Sequence, residues 1–365
     1  MAKANTPFRY DYVGSFLRPD YLKEARRDFE NGKITAEELK AVEDKAILDL
    51  VEKQKKAGYK VITDGEFRRA TWHLDFMWGF NGVEHKPSKN PINFHSTKTD
   101  LEDTYLVSKI TVDEHPFVEH FKFVKALEDE NTVAKQTIPA PAQFLLQCTF
   151  EENLASTKAI YPNTEDLIQD MGKAYQKVIQ DLYDAGCRNL QLDDCSWGLF
   201  FGKELTEESK VFANQLLKVN NLAVAKAPSD MVINTHICRG NYNSDYFGQG
   251  AYDSVAKIIF GDENVEAYYL EFDDERSGGF EPLKEVSGDK KVVLGLITSK
   301  RPELENKEDV IARIHEAAKY VPLDRLYLSP QCGFASCEIG NKLTEDEQWA
   351  KLALVKEIAE EVWGK

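Results

Sequence analysis

Short runs of apolar and β-branched residues recur along the chain, and each closes on a polar cluster. They are YVGSFLR (12–18), YKVITDGE (59–66), TVAKQTIPAP (132–141), CRNLQLDD (187–194), DMVINTHICR (230–239), AYYLEFDD (267–274), KVVLGLITS (291–299) and RLYLSPQC (325–332). Runs of this length between polar or turn residues predict eight strands. Between them lie charged stretches whose apolar residues return every three to four positions, clearest over 37–58, 165–186, 204–224 and 307–321. That spacing predicts amphipathic helices. Two of them stop at Gly58 and Gly186, directly before the next strand, where a left-handed glycine can end a helix. Upstream, DYLKEARRDFENGKITAEELK reads as a helix, a glycine turn and a second helix start, with Thr35 as cap and Glu38 as its capping-box partner. Strand and helix largely alternate. Eight strands in this rhythm favour an α/β fold of the (β/α)8 TIM-barrel type over an open doubly wound sheet.

One region departs from the alternation. Residues 70–131 carry a polar loop and the hairpin pattern TYLVSKITVDEH, too long for an ordinary strand-to-helix connection. They read as an insertion after the second strand, at the barrel mouth. The chain of 365 residues exceeds a usual domain, but barrels with insertions reach this size as one unit. Residues 1–365 are therefore expected to form a single catalytic barrel. The sequence shows no internal repeat and no low-complexity tract.

Charge narrows the partners. There are 46 Lys plus Arg against 62 Asp plus Glu, a formal net charge of −16, and no basic block offsets it. Nucleic acid and anionic membranes are poor partners for such a chain. Small molecules are the expected ones, with a homo-oligomer left open. The N-terminus lacks the apolar core of a signal peptide, and no apolar run approaches the roughly 18 residues of a membrane span. The expected location is cytoplasmic. Six cysteines, Cys148, Cys187, Cys195, Cys238, Cys332 and Cys337, are spread through the chain, without the density of a disulfide scaffold.

In barrels of this class chemistry sits at the carboxyl ends of the strands. Here those ends carry Asp64 and Glu66, Asp193 and Asp194, His236 and Cys238, Glu271 with Asp273 and Asp274, and Cys332. Residues i and i+2 of a strand share a face, so His236 and Cys238 can address one ion. Cys332 adds a second sulfur and Glu271 an oxygen, a set that zinc accepts at about 2.0–2.3 Å. Each also has a plain structural reading: a hydrogen-bonded histidine, a small buried thiol, an acid in a solvated loop. Their shared position at strand ends favours the metal. Cys148, Cys187, Cys195 and Cys337 fall outside the set and read as packing residues.

These same segments resemble, in order, those of the C-terminal catalytic barrel of cobalamin-independent methionine synthase. VGSFLRP is similar to I-G-S-F-P, DGEFRR to H-G-E-x-x-R, LQLDD to I-Q-I-D-E-P and NTHICRGN to the H-x-C segment. YLEFDDERSG resembles I-E-x-x-R-S with two extra residues before the arginine, and LSPQCGFAS resembles N-P-D-C-G. The resemblance implies zinc held by His236, Cys238, Glu271 and Cys332. It also places Ser15, Glu66 and Asp193 where the amino-acid part of homocysteine is held. The two carboxylates would pair with the substrate ammonium, and backbone groups around Gly14 and Ser15 with its carboxylate.

Other segments depart from that family. The resemblance covers the catalytic barrel alone, so the second barrel that helps full-length members hold a polyglutamyl folate is expected to be missing. TIPAPAQFLLQC lacks the tryptophan found near the pterin, and Lys300 falls near the place of a histidine that protonates the leaving amine. Lys300 is accordingly a tentative acid, with a solvated surface cation as the alternative. The expected function is zinc-dependent S-methyl transfer to homocysteine, forming methionine, with 5-methyltetrahydrofolate as the first candidate donor. Two alternatives stay open. One is a zinc thiol alkyltransferase with another donor or thiol, such as a methylated cobalt carrier, a sulfonium or an epoxide. The other is a non-catalytic barrel that binds zinc or an amino acid.

Overall fold

The computed structural model of the chain describes residues 6–88, 92–99 and 102–364. Helix α1 (Asp20–Glu30) leads through a turn at Gly32 into α2 (Ala36–Lys56). The start of α2 is the expected one: Thr35 Oγ1 accepts the Glu38 N–H at 3.2 Å, and the Glu38 carboxylate accepts the Thr35 N–H at 2.8 Å. Gly58 (φ 86°) stops the helix, and β1 (Val61–Ile62) follows. The inserted region supplies α3 (Leu74–Met77), the antiparallel strands β2 (Asn81–Pro87) and β3 (Glu102–Thr111), and α4 (Pro116–Lys125). Residues 89–91 and 100–101 of that region lie outside the described residues.

The chain then runs through β4 (Val133–Ala134), β5 (Gln136–Pro139), α5 (Pro141–Thr149), α6 (Glu151–Ile160), α7 (Thr164–Asp184), β6 (Asn189–Asp194) and α8 (Glu207–Val224). It continues as β7 (Val232–Ile237), β8 (Ala267–Glu271), β9 (Lys291–Ile297), α9 (Lys307–Ala317), β10 (Leu326–Pro330) and α10 (Glu345–Trp363). Only short helical turns connect β7 to β8 and β8 to β9 among the described residues, so the alternation loosens beside the candidate ligands. No described helix is long and apolar enough to cross a membrane.

Strands β5 to β10 form one parallel sheet in chain order. Residues of β6, β7, β8 and β10 are buried throughout, as a parallel sheet covered on both faces requires. Helix α7 packs its periodic face, including Leu167, Met171, Tyr175, Val178 and Leu182, into the core. Strand β1 pairs in parallel with β4. At Lys135 the chain passes from one neighbour to the other: its N–H bonds Ile62 O at 2.9 Å, and the next residue, Gln136, pairs with Leu190 of β6.

Among the described residues the ladder does not close into a regular eight-stranded ring. Residues 12–18, expected as the first strand, form no ladder because the backbone turns at Gly14 (φ 150°). A Cβ there would lie 2.7 Å from Thr137 Cγ2. The segment instead touches each neighbour separately. Asp11 N–H bonds Leu328 O at 3.0 Å on β10, and Phe16 N–H bonds Gly65 O at 3.1 Å beyond β1. The buried Lys135 ammonium anchors it from inside, bonding Asp11 Oδ1 at 2.8 Å, Tyr12 O at 2.5 Å and Gln191 Oε1 at 3.2 Å.

Candidate metal centre and substrate cavity

Four side chains from the ends of β7, β8 and β10 converge. The ligand atoms of His236, Cys238, Glu271 and Cys332 all lie within 4.8 Å of one another and all four residues are buried. His236 pairs in register with Tyr269, and its Nδ1–H donates to Tyr269 O at 3.1 Å. That bond fixes the tautomer and leaves the Nε2 lone pair free for an ion. Nε2 is buried and without a hydrogen-bond partner. The Cys238 and Cys332 sulfurs stand 3.8 Å apart; two thiolates at about 2.3 Å from a tetrahedral zinc would be about 3.8 Å apart. The donor set therefore fits zinc. Cys238 Sγ also accepts the Gly240 N–H at 3.2 Å. Glu271 is the most heavily engaged: Oε1 accepts the Arg239 N–H at 2.6 Å, and Oε2 the Arg276 guanidinium at 3.0 Å. Arg276 is itself held by Asp273 at 2.9 Å and by Asp274.

Ser15, Glu66, Asp193, His236, Cys238 and Cys332 line a single cavity of about 210 Å³. Glu66 sits in a left-handed turn with Gly65 (φ 64° and 65°), closed by the Glu66 N–H on Asp64 Oδ1 at 2.8 Å. Its Oε1 accepts from Thr137 Oγ1 at 3.1 Å and pairs with Arg69 at 3.3 Å, whereas Oε2 is buried and unpartnered. Asp193 Oδ1 accepts the Gln191 amide at 2.7 Å. Burial, the largest cause, pushes both carboxyls well above the usual carboxylate range. A strained backbone and an unsatisfied acid in one cavity are marks of a binding site. Ser15 Oγ accepts the Ala335 N–H at 3.3 Å. Gly14 stands behind the wall, with its carbonyl occupied by Thr63 Oγ1 at 2.9 Å. Asp194, bonded to Ser196 and Asn220, braces the strand end from the buried side.

Lys300 lies apart from the described lining of the cavity. Its three ammonium protons are directed to Gly240 O (3.1 Å), Asn241 Oδ1 (2.8 Å) and Asp245 O (3.2 Å), so it braces the loop after β7 and is not a surface cation. Cys195 and Cys337, read from sequence as packing residues, line the cavity. Cys195 is within hydrogen-bonding reach of Cys238, because Asp193 and Asp194 pair with His236 and Ile237 and so bring the next residues alongside. Sequence reasoning also missed the inserted region's contribution, Trp72, His73, Ile92, Phe94 and Thr99. Residues 92–99 are clipped down by Asp245, whose Oδ2 accepts from the N–H and hydroxyl groups of Ser96 and Thr97 at 2.6 to 3.1 Å.

The catalytic-domain profile of the cobalamin-independent synthases matches residues 128–361, which contain all four cluster residues. The chain belongs to this family. Its similarity to other family members runs nearly end to end. It is 47% identical over 365 residues to the uncharacterized protein YxjH of Bacillus subtilis (strain 168), covering 98% of this chain and 95% of that one. A protein named methionine synthase from Saccharolobus solfataricus is 26% identical, covering 88% and 86%. Among solved structures, a Listeria monocytogenes chain assigned as a vitamin-B12-independent methionine synthase superposes with a TM-score of 0.79 at 41% identity, covering 98% of this chain and 99% of that one. A B12-independent methionine synthase from Shewanella sp. W3-18-1 shares the fold, with a TM-score of 0.73 at 21% identity and 97% of each chain covered.

Proposed function

We propose that this chain is a zinc-dependent S-methyltransferase that converts homocysteine to methionine. In this reading residues 1–365 act as one catalytic unit on a (β/α)8 barrel, with the segment around Tyr10–Phe16 taking the place of the missing regular strand. One observation carries it: three residues of a four-donor cluster and two buried carboxyls, one with a free oxygen, line the same cavity. The relative named methionine synthase supports the same chemistry.

Bound zinc would hold a coordinated thiol as thiolate at neutral pH, although a free thiol has a pKa near 8.5. His236, Cys238 and Cys332 would hold the ion most firmly, while Glu271, shared with Arg239 and Arg276, competes least for it. Glu66 and Asp193 receive the substrate ammonium, and Ser15 with its neighbouring backbone receives the carboxylate. Gripping the amino-acid end restricts where the sulfur can go, and that orientation converts binding into rate. Zinc-edge X-ray absorption on the zinc-loaded protein, with and without homocysteine, tests the reading. A sulfur ligand gained on addition is the expected result; an unchanged edge refutes it.

A further inference from the structure

Away from the two carboxylates and the sulfurs, the cavity wall is largely aromatic and aliphatic. Trp72, Phe94, Phe150, Leu199, Tyr242 and Phe247 line it, and none of the six is fully buried. Partly exposed apolar surface gathered in one concavity marks a ligand surface. Two sets of contacts tie these rings to the thiols. Gly240 donates to Cys238 Sγ, and a Cβ on Gly240 would lie 2.6 Å from Phe247 and 3.0 Å from Phe94. Phe94 in turn sits 5.6 Å from Tyr242 and 6.2 Å from Phe247, centroid to centroid. On the other side the Trp72 main-chain N–H bonds Ser336 O at 2.8 Å, and Ser336 Oγ is 3.9 Å from Cys332 Sγ. The aromatic side chains thus share one cavity with both sulfurs.

The chamber presents carboxyls and no described cationic side chain. Glu66 and Asp193 line it, and none of its described lining residues is Lys or Arg. Lys300 spends its protons on Gly240, Asn241 and Asp245. Burial lowers the His73 pKa to about 3, so the imidazole in the wall is neutral. A donor bearing phosphates or a polyglutamate tail finds no described cation here, and a leaving amine finds no charged acid.

We propose that the second substrate is a methyl-onium cation, a sulfonium or quaternary ammonium whose methyl groups lie against these rings. The proposal rests on the thiol methyltransferase reading above. Aromatic faces attract such cations, most strongly when water is excluded. The step balances without an acid. The substrate thiolate's electron pair forms the new S–CH3 bond as the old bond from carbon to S⁺ or N⁺ breaks. That bond's electron pair stays on the leaving atom, which departs as a neutral sulfide or amine. Anion and cation become two neutral groups, a change that an apolar wall favours over bulk water.

Choline and its uncharged isostere 3,3-dimethylbutan-1-ol, titrated calorimetrically into zinc-loaded protein, separate cation recognition from shape. Choline is expected to bind at least tenfold tighter. Trp72→Leu and Phe247→Leu, made separately, should each reduce that ratio while zinc content and the zinc-edge response to homocysteine persist. In parallel, trimethylsulfonium labelled with 13C in its methyl groups, mixed with homocysteine and zinc-loaded protein, should yield labelled methionine and dimethyl sulfide by NMR. Equal binding of the two isosteres overturns the proposal. So does the absence of label transfer in protein whose zinc edge responds to homocysteine. A zinc edge indifferent to homocysteine refutes the thiol reading instead, and the choline comparison, which needs no homocysteine, still reports on the chamber.

Discussion

Replacing Asp193 by Asn probes the amino-acid subsite with little disturbance to the fold. The Gln191 amide that donates to Asp193 Oδ1 at 2.7 Å can donate equally to an amide oxygen, and the β6 ladder is main-chain. The carboxyl is raised chiefly by burial. A carboxyl whose folded pKa exceeds its unfolded value weakens the fold as pH rises from the ordinary carboxylate range toward the raised value, because the unfolded chain releases that proton first. The Asn variant should therefore match the parent in Tm at about pH 4 and exceed it at about pH 8. Ligand affinity should move the other way. A hydrogen bond between charged groups is worth roughly 1.5–3 kcal/mol, so affinity for the substrate ammonium should fall roughly 10- to 150-fold. Methionine is the better titrant because its thioether releases no proton at the metal. Calorimetry at about pH 8 gives the affinity. Near neutral pH, buffers of differing ionisation heat should show the parent releasing protons on binding as the ammonium draws the raised carboxyls into their charged form. Unchanged methionine affinity, or a fall in Tm at about pH 8, would refute the reasoning.

Three further outcomes follow from the same geometry. Cys238→Ser and Cys332→Ser should each lose zinc by elemental analysis while far-UV circular dichroism stays parental, since the ligands sit at the strand ends; full occupancy in both would remove the metal assignment. Arg276→Met leaves the fully buried Glu271 without its ion-pair partner, so apo stability in urea should drop by about 3 kcal/mol or more, and zinc should restore much of it; equal losses in apo and zinc-loaded protein would count against Glu271 as a ligand. Lys300→Met should lower Tm by loosening the loop at Gly240–Asp245, yet leave the pH profile of methyl transfer intact; a turnover loss of roughly 10²–10⁴-fold with a shifted acid limb would restore Lys300 as the acid.

Much of the local architecture is legible because it depends on near neighbours. The capping pair Thr35 and Glu38, the stop at Gly58 and the apolar face of α7 are set by residues within a few turns of one another, so periodicity and cap chemistry read them directly. His236, Cys238, Glu271 and Cys332 could be grouped because parallel strands buried on both faces put their polar residues at the ends, and strand ends of a sheet in chain order lie side by side. Pairwise packing between distant segments is another matter. That residues 12–18 make no ladder follows from Gly14 meeting Thr137, a contact 123 positions away in the chain. Cys195 stands beside Cys238 through strand register, which no local pattern carries. Trp72 and Phe94 reach the cavity because the insertion folds back, clipped by Asp245, and Lys300 is withdrawn from it because three carbonyl-type oxygens of one loop satisfy its ammonium. Short-range sterics and solvation act within one segment and leave their trace in its sequence. Which acceptor a buried cation finds, or which ring closes a cavity, is decided only when several segments compete for the same space.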